Sequence, residues 1–130
     1  MDHWWTSNLI NPQALRGLYD EEPPLQGFHL LALSLEERGP NCLIRGQFSK
    51  FPDHPRPTWD VDADRLRVRF GLSAVEQFRA SGRVVGGAID LDIERAEDGF
   101  GIIVCGRGQD FEFQTRGIGL QIIGMTADKA

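Results

Sequence analysis

Residues 65–72 read RLRVRFGL, an alternation of charge and hydrocarbon. Successive side chains of a β-strand point to opposite faces. Leu66, Val68 and Phe70 therefore fall on one side, and Arg65, Arg67 and Arg69 on the other. A helix would scatter the same six around its circumference. Residues 88–94, AIDLDIE, repeat the pattern with the opposite charge. Here Ile89, Leu91 and Ile93 share one face, and Asp90, Asp92 and Glu94 the other. Two such segments imply strands with one buried and one wet face, as antiparallel sheets have.

The same period runs outward from these two segments. In FHLLALSLEE, beginning at Phe28, Leu31, Leu33 and Leu35 share a face. Gly39-Pro40-Asn41 signals a turn. In CLIRGQFSKF, Cys42, Ile44 and Phe48 oppose Arg45, Gln47 and Ser49. Glu97-Asp98-Gly99 turns the chain after the acidic strand. FGIIVCG and DFEFQT then form a hairpin around Gly106-Arg107-Gly108. GIGLQIIGM gives a last strand, with Ile118, Leu120 and Ile122 on one face. Residues 73–82, SAVEQFRASG, read as a strand, although Ser73 with Glu76 also fits the capping box of a short helix.

Only the N-terminal part departs from this period. Asn11-Pro12 is a helix start, Ala14, Leu15, Leu18 and Tyr19 recur at helical spacing, and Pro23-Pro24 stops the run. The expected fold is mostly β (α+β). It has an antiparallel sheet of about seven strands, curled or sandwich-like, with one short N-terminal helix near residues 12–19. Strands follow one another at hairpin distances, which excludes βαβ topology.

A chain of 130 residues with 41% hydrophobic and 25% charged residues is expected to be a single globular domain, 1–130. Its net charge of −5 argues against nucleic acid as the direct partner and suits a basic one. No run of about 18 apolar residues suggests a membrane span, and MDHWWTSNLI lacks the features of a signal peptide. Cys42 and Cys105 read as thiols inside strands in a reducing cytoplasm, with a single disulfide as the alternative.

Catalytic and cofactor chemistry is not written in the sequence. His3, His29 and His54 are far apart and belong to no metal-ligand spacing. There is no nucleophile elbow, no reactive-cysteine context and no phosphate loop before a helix. Asp90 and Asp92 read as the solvated face of a sheet rather than a glycosidase pair. The expectation is no enzyme, no cofactor and no metal. The arginine and acid stripes could also face each other, if their strands are neighbours or next neighbours.

Between two strands lies FPDHPRPTWD, residues 51–60, with three prolines that exclude a central strand. Phe51 and Trp59 read as aromatic pegs, with Trp59 substantially buried. The wider order is Trp4-Trp5, Asn11-Pro12, Pro23-Pro24-Leu25, Phe51-Pro52-Asp53, Pro57, Trp59, then Leu66-Val68-Phe70 leading to Val75 and Phe78. Over roughly residues 4–125 this order resembles the bacterial immunity protein 50 family, whose members are partners of polymorphic toxins. The chain departs from it in having Arg83 where family members tend to carry an aromatic. The resemblance implies a cytoplasmic protein that binds and neutralises a cognate, basic toxin domain. It implies no catalytic motif to carry over, and the oligomeric state stays open. The candidate toxin contacts are the acids Asp20, Glu21 and Glu22, the strand acids Asp90, Asp92 and Glu94, and Asp110 with Glu112. The alternative is a small β-module that binds carbohydrate or peptide through Trp4, Trp5 and Trp59.

Overall fold

The computed structural model describes residues 5–37, 40–83 and 87–130. Trp4, Gly39 of the expected turn and the first residues of the N-terminus lie outside the described residues. Among the described residues there are eight strands, β1 (Phe28–Glu36), β2 (Asn41–Gln47), β3 (Arg65–Ser73), β4 (Gln77–Gly82), β5 (Gly87–Arg95), β6 (Ile102–Arg107), β7 (Phe111–Gly117) and β8 (Gly119–Asp128). They form one antiparallel sheet in the order β4-β7-β6-β5-β1-β2-β3-β8. The fold is mostly β, as expected, with one strand more. The segment expected at 73–82 is a strand over Gln77–Gly82, β4, and the sequence form of a capping box comes to nothing: Ser73 ends β3 and its hydroxyl donates to Gly119 O at 3.2 Å.

The sheet curls until its two ends meet. β3 runs into β4 through Ala74, whose φ of 51° marks a sharp bend. β7 runs into β8 through Ile118 at the matching place. Glu76 N donates to Arg116 O and Ile118 N to Ser73 O, both at 2.8 Å, and carry the ladder around the corner. Strands that bend between two sheet halves make corners of this kind. The concave side holds the core: Phe28, Ile44, Phe48, Leu66, Val68, Phe70, Leu72, Ile89, Leu91, Ile102, Val104 and Leu120. Thr115, fully buried there, donates its hydroxyl to Gln77 O at 3.0 Å.

The N-terminal segment packs onto this core but not as the expected helix. It forms two short 3₁₀ turns, Trp5–Asn8 and Pro12–Ala14. Two features explain the loss. Asn11 does not cap the turn with its side chain. Instead its amide accepts from Ile122 N at 2.9 Å and donates to Ile122 O at 2.8 Å, which closes part of the β8 edge. Gly17 then adopts φ +83°, which ends any helical run. The apolar spacing still serves burial: Leu15, Leu18 and Tyr19 are all in the core.

Strand β1 corrects a second expectation. The register slips between Leu30 and Ala32, a bulge that changes which side chains face inward. Phe28 and Leu30 are buried, whereas Leu31 and Leu35 are 41% and 48% exposed. Leu33 alone of the expected three packs against the core. β8 has a similar slip opposite Arg69 and Phe70, and the extra residue, Ile123, is exposed. At the bend, Ile118 is 52% exposed, away from the face of Leu120 and Ile122.

The proline-rich loop is tied to the N-terminal segment. His54 N donates to Leu18 O, and the His54 ring lies 2.6 Å from Asp20 Oδ1. Asp53 accepts from Asp20 N at 2.9 Å and from Lys50 Nζ at 3.3 Å. The backbone N–H of Asp20, with Lys50 alongside, holds the Asp53 carboxyl below the usual carboxylate range. A lowered carboxylate contributes stability above its unfolded pKa and loses it as pH falls through the folded value. Asp53→Asn is therefore expected to destabilise at neutral pH and to make no difference once the pH is below that lowered value. Paired acid and neutral melts would check this; the group is exposed, so the effect is small. Trp59 is partly buried and packs against the core, without being fully enclosed. It sits 6.3 Å from Phe51, with Arg56 over its ring at 5.8 Å. Trp59→Ala is accordingly expected to cost about half of the roughly 3–5 kcal/mol of a fully buried aromatic, measured by urea unfolding.

Candidate functional site

The strand order decides what the acids can do. β1 and β2 separate β3 from β5, so the arginine and acid stripes are neither neighbours nor next neighbours. That pairing is overturned. Arg65 and Arg67 turn instead to Asp128, at 2.6 and 3.5 Å. The acid stripe faces the β5-β6-β7-β4 half.

The hairpin after β5 also sits elsewhere than expected. β6 extends through Arg107, and the turn falls on residues 108–110. That shift puts Arg107 on a strand, opposite both Asp90 and Glu112. Three rows then cross the outer face. Asp90, Arg107, Glu112 and Ser81 form the first. Asp92, Cys105, Gln114 and Arg79 form the second. Glu94, Ile103, Arg116 and Gln77 form the third. With strands about 4.8 Å apart, Asp90 and Glu112 lie about 10 Å from each other across Arg107. The first two rows floor a groove of about 790 Å³.

Its charges are only loosely engaged. Arg107 approaches Glu112 at 3.7 Å, and both side chains are mostly exposed, so the pair contributes little. Arg79 donates to Gln114 Oε1 at 3.0 Å. Asp90 accepts from Gly27 N at 3.2 Å, beside a backbone bond from Leu91 N to Leu25 O. Those two bonds seat residues 25–27 at the groove's end. Asp92 and Glu94 have no ion-pair or hydrogen-bond partner among the described residues. In the third row Arg116 binds Asp98 at 2.5 Å and lies 3.5 Å from Glu76.

Cys105 stands in the middle of the second row. Burial raises its thiol pKa, and the charges of Asp92 and Glu94 raise it further. A nucleophilic cysteine needs the opposite. Cys42, in the core, is pushed up to about 11 by burial. Both thiols are free. Among the described residues no group of three or more His, Cys, Asp or Glu is placed to hold a metal ion.

The other predicted acids scatter. Asp110 lies in the β6–β7 turn, where its carbonyl accepts from Arg83 N at 2.7 Å, at the rim of a smaller hollow. Asp20 is held by His54. Glu22 accepts from Trp5 N, Thr6 N and the Thr6 hydroxyl at 3.1–3.3 Å, and so fastens the N-terminal segment. Glu21 is exposed. The first acid group is therefore no single free patch. Arg79, Cys105, Arg107 and Gln114 escaped the sequence reading, because only strand register brings them beside the acids. Trp5 is 7% exposed, and its indole N–H donates to Pro23 O at 2.9 Å, which removes it as a ligand platform.

Comparison with protein-family models, with curated proteins and with solved structures gave no match. Among the described residues no helix is long and apolar enough to cross a membrane.

Proposed function

We propose that this chain is an immunity protein that binds a cognate, basic toxin domain in the bacterial cytoplasm and neutralises it without catalysis of its own. The order of aromatics and prolines quoted above supports the family. The observation that carries the mechanism is the meeting of Asp90, Asp92 and Glu112 on one groove, with Glu94 beside it. Asp90 and Glu112 are 22 residues apart in sequence, and the register alone makes them one surface. An exposed acid surface needs little desolvation to meet a basic partner, and it steers encounter through long-range attraction. Asp92 and Glu94 can pair with incoming cations without first giving up a partner among the described residues.

Co-expression with a candidate toxin domain from the neighbouring genes, followed by co-purification, tests the reading. A stable complex that protects the cell from the toxin is the expected result. Failure of the two to associate when both are folded would refute it.

A further inference from the structure

The arginine stripe is a charged pattern of the sequence that the acid groove does not absorb. On the outer face of β2 and β3, Arg45 stands directly opposite Arg69, and Gln47 opposite Arg67. The row ends in Ala32 on β1 and Gly124 on β8, both too small to cover a guanidinium. Arg69 uses the gap: a Cβ at position 124 would collide with its guanidinium. Arg65 and Arg67 share the single carboxylate of Asp128. The Arg67 Nε is enclosed, yet it makes no hydrogen bond. Arg45 and Arg69 are exposed and have no acid or hydrogen-bond partner among the described residues. Like charges directly opposite on a sheet are destabilising, so the fold tolerates a repulsion that one substitution would remove. Retained cost of this kind is characteristic of binding sites.

We propose that this face is a second binding surface, which takes a short acidic segment of a protein partner between Arg45 and Arg69, with Arg67 alongside. Guanidinium forks bind carboxylates through paired, charge-assisted hydrogen bonds, and the open lone pair of arginines supplies two forks on one row. The occupant is short because the positive patch covers one face of a chain whose net charge is −5. A long nucleic acid running off the patch towards β5 would meet the exposed carboxylates of Asp90, Asp92 and Glu94. A segment of a few acids ends before reaching them. This surface stands independently of the acid groove.

The test is an anisotropy titration with a labelled hexaglutamate peptide at low salt. The intact protein should bind saturably, and Arg45→Gln with Arg69→Gln should weaken binding by about tenfold or more. Each single change should give a partial loss. The double variant should melt no lower than the parent, because it relieves the arginine repulsion. A control that removes two exposed arginines elsewhere, Arg16→Gln with Arg95→Gln, should bind as the parent does. Equal binding by the Arg45/Arg69 variant and the control would overturn the proposal. So would binding of a hexanucleotide as tight as that of hexaglutamate, since the occupant would then be nucleic acid.

Discussion

Phe48→Ala is expected to cost about 3–5 kcal/mol of folding stability. Phe48 is 2% exposed and follows β2 directly into the core. Its ring lies 6.0–6.2 Å from those of Trp5, Tyr19, Phe28 and Phe70. Three of these pairs meet edge to face, the arrangement in which aromatic rings attract beyond simple burial. Phe48 thus joins the N-terminal segment, through Trp5 and Tyr19, to the sheet, through Phe28 and Phe70. Truncation leaves a cavity that four stiff rings cannot collapse to fill. Urea unfolding measures the loss. A change below about 1 kcal/mol would mean that these rings do not form the centre of the core.

Gly46→Ala is the second large effect, expected at about 1–3 kcal/mol. The Phe28 ring occupies the place where a Cβ at position 46 would stand, and His29 O crowds it further. Leu30 pairs with Gly46 across the β1–β2 ladder, just before the bulge. A methyl there must displace either a fully buried ring or the backbone. Trimming the ring should recover part of the loss. In a double-mutant cycle, Gly46→Ala combined with Phe28→Leu should cost less than the two single changes added. Strict additivity would show that the ring is not what the new methyl meets. Gly106 has the same relation to Phe113 in the other half of the sheet.

The success and failure of the sequence reading have local causes. Residues 65–72 and 88–94 were legible because neither segment carries an extra residue, so their period of two survives intact into the structure. FHLLALSLEE misled because one bulge at Leu31 reverses the parity of everything before it. A bulge leaves no mark in a run of leucines. The helix near 12–19 failed because its capping residue serves the sheet: Asn11 is engaged 111 residues away at Ile122. The acids of the candidate groove were legible as a pattern of charge. Their companions were not, since Arg107 faces Asp90 and Glu112 only once the β6–β7 turn falls on 108–110 rather than 106–108. Glu22 looked like a surface charge and proved to be an anchor, because nothing local announces that it will accept from Thr6.

That last difference shapes the decisive comparison. Reversing Glu22 would loosen the N-terminal segment, so Glu21→Lys alone is the suitable probe of the first acid group. Asp90→Lys with Asp92→Lys probes the groove, on exposed positions of β5. The measurement is the association rate of the proposed toxin partner with the parent and with each variant, over a range of salt. The β5 double variant, still folded, is expected to associate more slowly and with a weaker dependence on salt, while Glu21→Lys changes little. Unaltered toxin binding by the folded double variant would contradict the account.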